Sequence, residues 1–270
     1  MTPGPRIAVI VATRDRAAMA AELVARLDDQ IRRPDHIFVL GAKSSDLELV
    51  ADRHDVTVRV VPDALPALRR QGVKLAGPSY DYLVFFDDSF LPSRLWIAQA
   101  LTYLERWPEV AGVSGVVLTE GRDIFGRSVR SNPVLVAMLG NAVRGRPLFF
   151  PATCIDGVNM AVRRSALGED ELSEGIFDDF EISAGLARSG SIGQLTALFG
   201  VNRGPVAAPK NGRLLGVMDM SRDLNTIPDA EASGWMSNAF VSEAVRAVRP
   251  QRSQGLRGQV RDLFFKMTSQ

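Results

Sequence analysis

Arg6-Ile-Ala-Val-Ile-Val-Ala12 is an uninterrupted apolar, β-branched run, and the residues that follow it change period. Such a run reads as a strand buried on both faces. Met19, Leu23, Leu27 and Ile31 then recur every four residues, with Val24 beside them, as one apolar helical stripe. Pro34 is expected to close that helix. His36-Ile-Phe-Val-Leu40 predicts a second strand, residues 56–61 a third and residues 82–86 a fourth, with a helical pattern over 65–76. Alternating strands and helices predict parallel pairing through right-handed crossovers, hence an α/β sheet with flanking helices. Ligands of such sheets lie beyond the carboxyl ends of the strands. The loops that begin at Thr13, Gly41 and Asp87 are therefore expected to converge on one site.

Further along, the pattern predicts a helix over 93–107, a strand over 110–117, a strand over 158–162, a helix over 179–188 and a strand over 192–201. Residues 119–153 are irregular and carry Arg122, Arg127, Arg130, Arg144 and Arg146, which would suit an anionic partner. The last thirty residues are basic, with Arg246, Arg249, Arg252, Arg257, Arg261 and Lys266 around the apolar Val260, Leu263, Phe264 and Met267. That pattern reads as a helix that lies on an anionic membrane surface or packs back on the domain.

Bulk composition narrows the function classes. The chain has 270 residues, is 46% apolar and carries a formal net charge of +1. This suffices for a real core and gives no global basic field for nucleic acid. Cys154 is the sole cysteine, so no disulfide framework or thiolate zinc site is expected, and a reducing, cytoplasmic setting fits. Neither a secretory signal nor a run of about 20 apolar residues that could span a bilayer is expected.

Two acidic segments carry chemistry. Phe85-Phe-Asp-Asp-Ser-Phe-Leu-Pro92 places two carboxylates where an apolar strand opens onto its crevice. They can hold a divalent cation that neutralises a diphosphate, or simply cap the next helix. Asp178 and Asp179 open a later helix, where the dipole favours carboxylates; one of them could instead take a proton from an attacking hydroxyl.

Taken in order, these segments resemble the inverting GT-A glycosyltransferases of family 2. Ala12-Thr-Arg-Asp-Arg16 sits where that family has Pro-Thr-x-Asn-Arg, and Ser44 and Asp46 fit its Ser-x-Asp. Ala64-Leu-Pro-Ala-Leu-Arg-Arg-Gln-Gly72 is similar to its Gly-Leu-x-x-x-Arg-Asn-x-Gly helix start, and Asp87-Asp-Ser89 falls on its Asp-x-Asp motif. Gly157-Val-Asn-Met-Ala-Val-Arg163 is similar to its Gly-x-Asn-Met-Ala-Phe-Arg strand, and Asp178-Asp179 falls on its Glu-Asp pair. The resemblance runs from Arg6 to about Val201.

What it implies is a GT-A fold: a Rossmann-like, mostly parallel central sheet with flanking helices, followed by a C-terminal helical extension. Residues 1–117 would form the nucleotide-sugar half, 118–205 the acceptor and catalytic-base half, and 206–270 the basic extension. Thr13, Arg14, Asp15, Arg69, Asp87 and Asp88 would bind the nucleotide sugar. Gly157, Asn159 and Asp178 would lie on the acceptor side, and Asp179 would be the base. A Mg2+ or Mn2+ ion would sit on Asp88 and, weakly, Ser89. The implied partners are a nucleotide sugar, with UDP the first expectation, and a glycan or lipid-linked acceptor. The protein would be cytoplasmic, with peripheral contact at a membrane through its basic tail.

Three positions depart from the family. Gly41 stands where an aspartate usually reads the base, Ser89 replaces the last aspartate of Asp-x-Asp, and no histidine lies near Leu198; His36 and His54 are both in the N-terminal half. Fewer anionic ligands predict a weakened metal dependence, with arginines supplying the missing charge; Arg14, Arg69, Arg70, Arg203, Lys210 and Arg213 are the cations in reach by sequence. The same departures leave open a non-catalytic relative that keeps the fold as a binding or scaffold protein. A dinucleotide-binding oxidoreductase would need a glycine-rich turn where Thr13-Arg-Asp-Arg16 has none. A nucleotidyltransferase would want glycines and a lysine at the same place.

Overall fold

The computed structural model describes residues 4–118, 147–168 and 178–203. The arginines of the basic segment at 122–146 and the whole extension from 206 lie outside these residues, as do Lys210 and Arg213. Among the described residues the strands are β1 (Ile7–Thr13), β2 (His36–Gly41), β3 (Val56–Val60), β4 (Tyr82–Asp87), β5 (Phe90–Pro92), β6 (Val110–Leu118), β7 (Phe149–Pro151), β8 (Asn159–Arg163) and β9 (Ser191–Asn202). The helices are α1 (Ala17–Asp28), α2 (Leu65–Ala76), α3 (Trp96–Arg106) and α4 (Asp179–Ser189).

All nine strands join one sheet in the order β3-β2-β1-β4-β8-β6-β9-β5, with β7 on the first half of β9. The N-terminal part, β3-β2-β1-β4, is wholly parallel. Beyond β4 the sheet is mixed: β8 runs antiparallel to β4 and β6, while β6 and β9 are parallel. Strand alternation in the sequence predicted the parallel half. The antiparallel insertion of β8 depends on the long connection between β6 and β8, and no local pattern encodes it.

The period of two along the strands sorts their side chains into two cores. Ile7, Val9 and Val11 of β1 and Tyr82, Val84 and Phe86 of β4 pack with Leu23, Val24 and Leu27 of α1 and Trp96, Ile97 and Leu104 of α3. Ala8, Ile10, Ala12, Leu83 and Phe85 face the other way, onto Leu68 and Val73 of α2 and Ile182 and Leu186 of α4. The result is a three-layer α/β/α arrangement. Full burial of each such leucine contributes about 1.5–3 kcal/mol.

The stripe on α1 ends earlier than its spacing suggests. The helix stops at Asp28, and Ile31 lies outside it, exposed, giving its N–H to the Arg94 carbonyl. Competing tertiary hydrogen bonding, together with the capping of Leu27 by Asp29, ends the helix before Pro34 has any effect.

On α2 the buried face is Leu68, Arg69, Gly72, Val73 and Ala76. Gly72 lies so close to β1 and β2 that a Cβ there would stand 2.5 Å from Ile10 Cγ2 and 3.0 Å from Leu40 Cδ1. Arg69 is three residues earlier on the same face. It therefore reaches over the carboxyl ends of the strands, where the sheet opens.

Candidate functional site

Register brings the predicted loops together. Thr13 pairs with Gly41, and Ala12 with Asp87, so the ends of β1, β2 and β4 stand side by side. Asp87 ends β4, and Asp88 follows it on the turn into β5. Under that turn Phe86 packs on Trp96 (centroids 4.8 Å apart) and on Phe90 (5.6 Å).

The centre of the site is Arg69. Its Nη1 donates to Asp179 Oδ1 at 2.7 Å; its Nη2 donates to Asp87 Oδ1 at 2.7 Å and to the Gly157 carbonyl at 3.1 Å. Arg69 as a whole is only 9% exposed. Burial works against its charge, but Asp87 and Asp179 more than offset this and hold it protonated, above the ordinary arginine value. One side chain thus joins a carboxylate from the first half of the sheet to one from α4, the latter 110 residues from Arg69 along the chain. Gly157 makes room for the junction: a Cβ there would overlap Asp179 Oδ1 and stand 2.5 Å from Arg69 Nη1.

Asp88 turns inward. It accepts from Thr13 Oγ1 at 2.8 Å and pairs with Arg16 at 3.2 Å. Burial pushes its carboxyl above the usual range, opposed by Thr13 and Arg16. Thr13 is completely buried, so its hydroxyl orients Asp88 and its own surface is closed to a ligand. Ser89 is also buried, with its carbonyl taken by the Arg203 N–H. Asp88 and Ser89 are thus turned inward in this structure, and among the described residues no group of three or more His, Cys, Asp or Glu side chains is placed to hold a metal ion.

Arg14 and Asp15 line the rim. Arg14 donates to the Asp63 carbonyl, and Asp15 pairs with Lys43, which holds the Asp15 carboxyl below its ordinary value. Asp15 has φ 58°, and its N–H is tied at 2.8 Å to Asp46, which also accepts from the Lys43 N–H at 3.2 Å. Asp46 is 2% exposed and so serves as the clasp between the β1 and β2 loops. It also accounts for Gly41: a Cβ at 41 would stand 2.8 Å from Asp46 Cβ. The tight turn after β2 leaves no room for an aspartate there.

The residues expected on the acceptor side separate. Asp178 is the N-cap of α4 and accepts from the N–H groups of Phe180 and Glu181, each at 3.0 Å. Asn159 is fully buried; its Oδ1 accepts the Gly115 N–H at 2.7 Å where the register of β6 on β9 shifts. That amide has no ladder partner, so Asn159 satisfies it. Asn159→Ala is expected to lower stability by about 1–3 kcal/mol through the orphaned N–H, and urea unfolding checks it.

Arg16 and Asp46, matched in the motifs without an assigned role, and Asp156, which lies outside every motif, also belong to the site. Arg16 closes the first matched segment and Asp156 directly precedes the Gly157 motif, which is the signal that marks them. Asp156 accepts from the Val158 N–H at 2.9 Å. Crowding of its carboxyl by protein pushes it up to about 6, against that hydrogen bond, and the charges of Asp179 and Asp87 add to the rise. The residue also keeps open access to solvent, which tempers the size of the shift but not its direction. An acid with a raised folded value binds more protons folded than unfolded between the two values. Asp156 therefore costs stability as pH rises from about 4 to about 6, and the cost persists above. Asp156→Asn should be more stable than the parent near neutral pH, and the gain should vanish below about pH 4. Urea unfolding across that range reads it, and a gain independent of pH would contradict the assignment. Cys154 lies beneath, buried, with its thiol pushed up by burial, which leaves it a poor nucleophile.

No protein-family model matches the chain, and no curated protein matches it. Solved structures do. A mannosyltransferase of Pyrobaculum calidifontis in complex with GDP-Man and Mn2+ aligns with a TM-score of 0.55 at 19% identity, covering 78% of this chain and 59% of that one. Residues 1–349 of TarS from S. aureus, in complex with UDP-GlcNAc, align with a TM-score of 0.50 at 13% identity, covering 90% of this chain and 65% of that one. The chain thus spans less than two thirds of either neighbour. It has the fold of these glycosyltransferases: a mixed α/β sheet with flanking helices. No helix among the described residues is long and apolar enough to cross a membrane.

Proposed function

We propose that the chain is an inverting glycosyltransferase that moves a sugar from a nucleotide diphosphate sugar, a UDP-sugar in the first instance, to a hydroxyl of a glycan or lipid-linked acceptor. The observation that carries this reading is the meeting of Asp87 and Asp179 on Arg69 at the carboxyl ends of β1 and β4. A donor-side carboxylate and a base on a helix N-terminus face one crevice, in a fold shared with proteins complexed with GDP-Man and UDP-GlcNAc.

In this reading Arg14 and Asp15 lie against the nucleotide, while Asp87 and the cationic Arg16 and Arg69 border the diphosphate. Asp179 takes the proton of the acceptor hydroxyl. The oxygen so activated bonds to the anomeric carbon from the face opposite the leaving group. The bond from that carbon to the β-phosphate oxygen breaks, and its electron pair leaves on the nucleoside diphosphate. A single displacement inverts the configuration and leaves no covalent intermediate. Arg16 and Arg69 already neutralise Asp88 and Asp87, so we expect metal dependence to be weakened rather than absolute. The setting proposed is cytoplasmic, with the basic C-terminal residues at a membrane surface and the acceptor on a polysaccharide or glycoconjugate pathway.

The arginine pairing of both Asp87 and Asp88 also favours a second reading, a non-catalytic relative that binds nucleotide sugar as a scaffold. A thermal-shift screen over UDP, GDP, CMP and dTDP sugars, with and without Mn2+, tests both. Ligand at about 100 times its Kd should stabilise the fold by about 2.7 kcal/mol. One nucleotide class is expected to stand out and to be turned over. Stabilisation without any release of nucleoside diphosphate would select the scaffold, and no stabilisation by any member would remove the proposal.

A further inference from the structure

We propose that Arg69 is the positioning residue for the base: it fixes Asp179 against the donor-side Asp87, and Gly157 exists as glycine to let it do so. The inference rests on the transferase reading above and adds to it a residue that couples the two halves of the site. Three observations carry it. First, the fork is used on both sides, Nη1 on Asp179 and Nη2 on Asp87 and the Gly157 carbonyl, each carboxylate at 2.7 Å. Second, only Oδ1 of each carboxylate is engaged; among the described residues Asp179 Oδ2 and Asp87 Oδ2 accept no hydrogen bond. Pinned through one oxygen, Asp179 presents the other to an incoming hydroxyl in a fixed orientation. Third, the space for this contact is taken from residue 157, whose Cβ would overlap Asp179 Oδ1.

The chemistry explains why arginine is needed here. A planar guanidinium holds two carboxylates at a set distance and angle, whereas an ammonium is a rotatable point charge. A point charge is enough to attract a diphosphate; it is not enough to hold Asp179 and Asp87 in mutual register. Arg69→Lys therefore separates the two roles, since it keeps the charge and loses the fork. Gly157→Ala attacks the same contact from the other side. The atoms its Cβ would meet are the ends of the Asp179 and Arg69 side chains, which can swing aside, so the fold survives while the base is displaced.

The readout is release of nucleoside diphosphate from UDP-GlcNAc or GDP-Man, whichever stabilises the wild type, with water as the acceptor. Water loses its proton to Asp179, its oxygen bonds to the anomeric carbon, and the nucleoside diphosphate departs with the electron pair of the broken bond. Donor affinity is measured in parallel by calorimetry, and melting temperature for each variant. We expect Arg69→Lys and Gly157→Ala to keep donor affinity within about threefold and to lose kcat by about 100-fold, the loss that a misplacement of about 1 Å produces. Unchanged kcat in folded Gly157→Ala and Arg69→Lys overturns the inference. Weakened donor binding with unchanged kcat also overturns it, and makes Arg69 a donor ligand. If Arg69→Lys does not fold, Gly157→Ala decides alone. If the wild type binds no donor and releases none, the transferase reading fails first and the inference with it.

Discussion

Asp179→Asn should reduce kcat by at least about 1,000-fold, within the range that a general base contributes, while nucleotide-sugar affinity stays within a few fold. Asparagine keeps the shape of the side chain and an oxygen that can accept from Arg69 Nη1, now 2.7 Å away. What it loses is the capacity to take a proton. The side chain sits on the first residue of α4, whose cap is provided by Asp178, so the helix start is undisturbed and the loss is chemical. Nucleoside diphosphate release and donor calorimetry on the same preparation measure the two quantities. Turnover retained by the variant would dismiss Asp179 as the base; loss of donor binding would place it on the nucleotide instead.

The largest stability effect is expected at Trp96, a residue that takes no chemical part itself. It is completely buried and packs edge-on against Phe86, which stacks on Phe90. This aromatic cluster is the floor of the turn that carries Asp87 and Asp88. Trp96→Ala should cost about 3–5 kcal/mol. Among the described residues the indole Nε1 has no hydrogen-bond partner, so its removal returns part of that loss and the lower end of the range is expected. Chemical unfolding reads the free energy. Because the floor beneath Asp87 would slacken, kcat should fall as well in the fraction that remains folded. A variant as stable as the parent would show that the cluster bears little of the core.

Much of this architecture could be read from the sequence because its signals are local. The apolar run of β1, the helical face of α2 and the acidic exit of β4 each announce themselves within a dozen residues, and parallel pairing then forces Thr13, Gly41 and Asp87 together. Other features depend on partners distant in sequence. β5 and β7 are three residues each and exist only because β9 offers an edge. The end of α1 is decided by Arg94, and Asn159 is spent on Gly115, 44 residues away. At the site, the positions of Asp87 and Asp179 followed from their motifs, but their meeting on one guanidinium could not, because it needs the register of α2 against α4. Thr13 shows the converse: a residue in the right segment whose side chain faces inward and holds Asp88.

Two of the positions that differ from the resembled pattern acquire physical reasons. Gly41 is required by the Asp46 clasp, and Ser89 is packed beneath the turn. Both leave the crevice with fewer anionic groups and with Arg16 and Arg69 already in place. Charge compensation by arginine suits a diphosphate, because a guanidinium stays protonated and its positive charge attracts the anionic oxygens.

On the proposed reading a nucleoside diphosphate group binds in the crevice at the carboxyl ends of β1, β2 and β4, and hydrogen–deuterium exchange with and without saturating UDP or GDP locates it. Slowed exchange is expected in the segments around Thr13–Arg16, Gly41–Asp46, Asp63–Arg69 and Asp87–Ser89, and nowhere else to a comparable degree. Protection centred instead on the cavity of about 710 Å³ at the opposite end of the strands, lined by Pro5, Tyr80, Arg163 and Arg164, or absent from the chain, would rule out binding in this crevice.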